Sequence, residues 1–139
     1  MYARILVPLD GSAVSEAALA HAVSMANLFH ADLYLLRSAF LSPFPTHELG
    51  EARNTLLQES EVYLNEVACL LRRQGHQVHT TARWGKAAET ILEYVGEQHI
   101  SVVVMATHGH SSLHQWPMGS IAEKVLHSMK VPVLLIRET

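Results

Sequence analysis

Residues 102–106 read Val-Val-Val-Met-Ala, a run without a polar side chain on either face of an extended strand. A strand that is apolar on both faces has to be covered on both faces, which a parallel sheet flanked by helices achieves. The rest of the chain follows from that requirement, because short β-branched runs alternate with longer stretches whose apolar residues recur at helical spacing. Strand one is expected at Arg4 to Leu9, strand two at Asp32 to Ser38, strand three at Gln77 to Arg83, strand four at Val102 to Ala106 and strand five at Val133 to Arg137. Between them, helix one runs from Ser12 to Phe29, with Ala18, Leu19, Ala22, Val23 and Ala26 inward and Ser12 as N-cap. Helix two runs from Leu49 to Gln74, with Leu56, Tyr63, Leu64, Val67, Leu70 and Leu71 on its apolar stripe and Gly75 as the residue that ends it. Helix three is Ala87 to Gln98, with Ile91, Leu92 and Val95 inward, and helix four is Gly119 to Ser128.

Strands separated by helices pair in parallel only through crossovers, and right-handed crossovers place helices on both faces. The class is therefore α/β, a three-layer open parallel sheet of five strands, Rossmann-like, in one domain over residues 1–139. In such sheets ligands bind beyond the carboxyl ends of the strands where the strand order reverses, so the loops after strands one and four are the places to look. The segment Ser42-Pro43-Phe44-Pro45-Thr46, with its two prolines, is a loop that could cover a site.

Composition removes several classes of function. Ten Lys and Arg against thirteen Asp and Glu give a formal charge of −3, which argues against the phosphate-backbone footprint of a nucleic-acid binder. No stretch is long and apolar enough to insert in a membrane. The single cysteine, Cys69, makes no internal disulfide, and the chain opens on strand-like Tyr2 to Val7 instead of a signal peptide, so a cytoplasmic location is expected. Cys69 reads as a small packed residue, with a reactive thiol as the alternative. Only two aspartates are present, Asp10 and Asp32, and strand three ends Thr80-Thr81-Ala82-Arg83, which excludes a phospho-accepting aspartate there. The Walker pattern and the G-x-G-x-x-G fingerprint are both missing.

Two stretches carry candidate chemistry. Strand one ends Pro8-Leu9-Asp10-Gly11-Ser12, where Asp10 either accepts from a ribose hydroxyl or base amine or simply closes a turn. The loop after strand four holds Gly109 and Gly119, which admit close backbone approach. Ser120 then opens helix four, where free N–H groups and the dipole favour an anion. The competing reading is a capping box, because Ser120 is followed at the right spacing by Glu123.

With these residues in view, the chain resembles the universal stress protein family from Ile5 to Ile136. Nucleotide-binding members carry G-x-x-G, nine residues, then G-[ST]; here the second glycine is Gly109, the spacer His110 to Met118, and the closing pair Gly119-Ser120. Pro8-Leu9-Asp10 matches the family's Pro-x-Asp, and Gly119-Ser120-Ile121-Ala122-Glu123-Lys124-Val125 matches its G-S-x-x-E-x-V. The chain departs from the pattern at Ala106, which replaces the first glycine, at Ser38, where valine is common, and at Arg37, where histidine is. The resemblance implies a site in which Pro8, Leu9 and Asp10 meet the adenosine and Met105 and Ser38 frame the base. It brings the backbone of Ala106 and Gly109 near ribose and phosphates, and puts Gly119, Ser120 and Ile121 on the phosphate chain. The implied ligand is ATP, with ADP and AMP as alternatives, and Mg²⁺ or Mn²⁺ carried by the phosphates.

His108, His110 and His114 crowd the same loop. Nucleotide contact by His108 or His110 stands beside an exposed polar loop, and a protein-bound metal is not expected. Trp116, stiffened by Pro117, either contacts a partner or packs on the base of its own loop. The family order 3-2-1-4-5 leaves strand five at an edge, and the resemblance implies a homodimer through Val133 to Ile136. The expectation is an ATP-binding stress-response or signalling module. Slow ATP hydrolysis, or a nucleotide-free dimeric scaffold, are the alternatives.

Overall fold

The computed structural model describes residues 1–40, 49–108 and 118–137. The elements are β1 (Arg4–Pro8), α1 (Ala13–Phe29), β2 (Asp32–Ala39), α2 (Leu49–Arg73), β3 (Val78–Trp84), α3 (Ala87–Glu97), β4 (Val102–Ala106), α4 (Ser120–Ser128) and β5 (Val133–Ile136). They build a parallel five-stranded sheet of order β3-β2-β1-β4-β5, as expected, with boundaries within a residue or so of the sequence reading.

The two-residue period of the central strands sorts their side chains into two separate cores. Ile5, Leu33 and Val102, adjacent in register, face α1 and α2. Leu6, Tyr34 and Val103, one residue on, face α3 and α4. All five residues of β4 are buried, as its composition demands. Helix α1 meets the sheet through Ala18, Ala22 and Ala26, small residues spaced four apart that let its backbone approach closely.

The helix ends follow local chemistry. Ser12 caps α1 by accepting from the Ser15 N–H. Helix α2 closes in a Schellman motif around Gly75 (φ 95°), with His76 N–H donating to the Leu71 carbonyl and Gly75 N–H to that of Arg72. The same left-handed closing position is taken by His30 after α1 and His99 after α3.

Two expectations about α2 are corrected. Leu70 is 60% exposed and Cys69 is exposed, while Ala68 is fully buried. Positions 64, 68 and 71 lie on one side of a 3.6-residue helix, which turns 70 outward. Among the described residues no helix is long and apolar enough to cross a membrane.

Candidate functional site

Between β1 and β4 the ladder stops early. Registered pairs run only through Ile5–Val102 and Leu6–Val103, whereas β1 follows β2 through Pro8 and beyond, with Leu9 N–H donating to the Leu36 carbonyl at 2.9 Å. Backbone donors alternate sides along a strand, so the nitrogen of Pro8, which has no hydrogen to offer, faces β4. The two strands are thus free to part where the sheet order reverses, and a cavity of about 280 Å³ opens there.

The cavity is built from several elements. Pro8, Leu9 and Asp10 leave β1; Leu36, Ser38 and Phe40 come from β2; Met105, Ala106, Thr107 and His108 leave β4; Gly85, Ala87 and Ile91 come from the β3–α3 connection and α3; Gly119, Ser120, Ile121 and Ala122 begin α4. Its lining is mostly apolar, with the polar residues Asp10, Ser15, Ser38, Thr107, His108 and Ser120 among it. Every expected site residue that the structure describes lines this cavity: Pro8, Leu9, Asp10, Ser38, Met105, Ala106, His108, Gly119, Ser120 and Ile121. Gly109 and His110 lie outside the described residues, as do His114, Trp116, Pro117 and the loop at 42–46. Phe40, Gly85, Ala87 and Ile91 were not foreseen.

Asp10 is held in a turn. Its Oδ1 accepts from the Ser12 N–H at 2.9 Å and from the Ser12 hydroxyl, and its own N–H donates to Ser15 Oγ. Gly11 sits between them at φ 88°, and a Cβ there would come within 3.2 Å of the Arg37 guanidinium. The turn expected at Asp10 is thus formed, and the same residue lines the cavity. Arg37 lies over the Tyr63 ring, with its guanidinium carbon 5.0 Å from the centroid, and takes no part in the cavity wall. Tyr63 donates to Glu16 at 2.8 Å, and burial together with that carboxylate pushes its hydroxyl pKa up.

The start of α4 does not form the capping box expected as the alternative at Ser120. The N-cap is Gly119, with no side-chain cap, and Ser120 is the first helical residue. A capping box would need its acid at Ala122; Glu123 is one position too far along, and its carboxylate lies 4.0 Å from His127 Nε2. Gly119 N–H is itself spent on the Thr107 carbonyl at 2.6 Å, tying the end of β4 to the start of α4. The helix-start donors on the cavity wall are consequently those of Ser120, Ile121 and Ala122. Ala122 was missed from sequence, and Gly119 contributes position without its N–H. Thr107 Oγ1 is 3.0 Å from His108 Nδ1, which orients that ring.

The universal stress protein family model matches residues 1–137. Universal stress protein MJ0531 of Methanocaldococcus jannaschii is 32% identical over 142 residues, covering 99% of this chain and 84% of that protein. YxiE, a universal stress protein of Bacillus subtilis, is 30% identical, covering 99% of this chain and all of its own length. Among solved structures, MJ0577 of Methanocaldococcus jannaschii superposes with a TM-score of 0.91 at 26% identity, covering 100% of this chain and 98% of that one. Universal stress protein UspA from Lactobacillus plantarum superposes at 0.82 and 27%, with 98% of each chain covered.

Proposed function

This chain belongs to the universal stress protein family, a stress-response family, and on that footing we propose that it is an adenine-nucleotide-binding module that takes ATP in the cavity between β1 and β4. The observation that carries the reading is the start of α4, which has no side-chain cap and whose first three residues, Ser120, Ile121 and Ala122, line a mostly apolar cavity. Such a helix start favours a phosphate chain, and an apolar lining suits a purine. A universal stress protein of the same fold, at TM-score 0.73 and 20% identity, has been crystallised with cAMP, an adenine nucleotide.

In this reading Leu36, Ile91 and Met105 receive the base, with Ser38 offering a hydroxyl and Asp10 accepting from the adenosine. The donors of Ser120, Ile121 and Ala122 hold phosphate oxygens. Among the described residues no lysine or arginine lines the cavity, so Mg²⁺ or Mn²⁺ enters on the phosphates and supplies charge compensation. Gly109 and His110 belong to the same proposed site by the family motif. The module works in the cytoplasm.

We propose further that two copies associate through β5. It is an edge strand, and Leu134 is 40% exposed on it. Light scattering should give twice the chain mass of 15.4 kDa, and Leu134→Glu should return it to the single-chain value; a wild-type protein at the single-chain mass at micromolar concentration overturns the dimer. For the nucleotide, mass spectrometry of small molecules released on denaturation, followed by calorimetric titration with ATP, ADP and AMP, is the direct test. Absence of any adenine compound, together with no heat on titration at millimolar ATP, overturns the reading.

A further inference from the structure

Among the residues that line the cavity between β1 and β4, Phe40 differs from its apolar neighbours. Its ring is 44% exposed, whereas Leu36, Ile91 and Met105 on the same wall are buried. Exposed aromatic surface on a cavity wall is surface that a ligand gains by covering. The backbone that carries the ring is fixed. Phe40 follows directly on β2, which pairs with β3 as far as Ala39 and Trp84, and the Gly85 N–H donates to the Ala39 carbonyl at 2.9 Å.

The side chain is braced as well. Lys86, the N-cap of α3, has its Nζ 5.8 Å from the Phe40 ring centroid. The Trp84 ring lies 6.0 Å from that of Phe40 at an interplanar angle of 43°. From α2, the Arg53 guanidinium carbon stands 5.5 Å from the Trp84 centroid. A row of cation, ring, ring and cation thus ties α2, β3, β2 and the start of α3 together through contacts that are individually favourable. Of its four members only Phe40 lines the cavity. The row therefore presents the cavity with a flat, uncharged ring held in place, which has no donor to give a phosphate but suits the face of another ring. A ring ordered before the ligand arrives loses little freedom when it binds.

We propose that Phe40 is a stacking residue for the base of the bound nucleotide and that it favours purines over pyrimidines. This rests on the nucleotide reading above and adds a specificity-determining contact to it. Every base has a π-face to stack, and the two fused rings of a purine offer more of it than a pyrimidine does. The test is calorimetric titration of the full-length chain with ATP, adenosine, CTP and tripolyphosphate, in wild type, Phe40→Leu and Phe40→Trp. Leucine keeps an apolar side chain and removes the ring, so Phe40→Leu should weaken ATP and adenosine about tenfold, the scale of one base–aromatic contact. CTP should weaken by a smaller factor and tripolyphosphate should be unchanged. Phe40→Trp, which restores an aromatic face, should hold ATP within about twofold of wild type, and matching melting temperatures show that the fold persists. In the saturated wild-type complex, nuclear Overhauser contacts should join the Phe40 ring protons to H2 or H8 of the base. A wild type that binds ATP while Phe40→Leu binds it equally well overturns this proposal and leaves the nucleotide site standing. So does a loss of tripolyphosphate affinity as large as that of ATP, or a saturated complex without those contacts. A wild type that takes no adenine nucleotide overturns both.

Discussion

If phosphate is gripped by main-chain donors, deleting one such donor should cost affinity even though no side chain of the site is lost. Ser120 permits this, because it is the first residue of α4 and proline is well tolerated there. The preceding residue, Gly119, already has φ −70° and ψ 161°, the extended geometry that a residue before proline adopts. Ser120 is exposed, so the ring displaces nothing from the core. Ser120→Pro therefore removes one N–H together with the hydroxyl, and Ser120→Ala removes the hydroxyl alone. A hydrogen bond to a charged acceptor contributes about 1.5–3 kcal/mol, so the proline variant should bind ATP about 10- to 150-fold more weakly than the alanine variant. Calorimetry with ATP, repeated with adenosine, measures this. Adenosine affinity should be equal in the two variants. The reasoning is refuted if both bind ATP within twofold of each other while melting temperatures match, or if adenosine weakens as much as ATP.

Other perturbations read different parts of the structure. Ala106 lines the cavity and ends β4; Ala106→Gly should tighten ATP binding several-fold in a calorimetric titration, at a stability cost of about 0.5–1 kcal/mol for glycine in a strand. His30 and His99 occupy left-handed closing positions, at φ 53° and 51°. Relieving each with glycine should stabilise by about 0.5–1 kcal/mol, or about 2–3 °C in melting temperature for a chain of this length. Tyr63 and Tyr94 both have hydroxyl pKa values raised, chiefly by burial. Their folded values exceed the unfolded one, so their contribution is complete below about pH 10 and is lost as pH rises toward the folded values. Denaturant midpoints should fall above that pH, and Tyr63→Phe should flatten the fall.

The sheet was legible because its message is local. Five consecutive apolar residues at 102–106 call for cover on both faces, and Gly75 after a long amphipathic run marks a helix end without reference to anything distant. The α2 errors were also resolvable in principle: Leu64, Ala68 and Leu71 share a helical face that Leu70 cannot join, but hydrophobicity favoured the leucine over the alanine. The start of α4 was harder. Ser120 and Glu123 have capping-box spacing, but the cap falls on Gly119, whose N–H is bonded to the carbonyl of Thr107, twelve positions earlier in the chain. No pattern in a helix's own sequence reveals that. Phe40, Gly85 and Ala87 were missed for a related reason, since they reach the cavity only because β2 and β3 sit where the sheet order places them.

Ionic strength should test whether the proposed nucleotide site grips phosphates by amides or by charged side chains. In that reading the donors at the carboxyl edge are uncharged amides aligned with a helix, and among the described residues no lysine or arginine lines the wall. Screening acts between charges over a Debye length that shrinks from about 10 Å at 0.1 M to about 3 Å at 1 M. Short, directed hydrogen bonds at the start of α4 lie inside that range and are little affected. Between 0.1 and 1 M sodium chloride, the affinity of metal-free ADP at α4 should therefore fall by only a small factor. A fall as steep as that expected between full charges would mean that a charged side chain is also reading the nucleotide, and the amide mechanism would have to be abandoned.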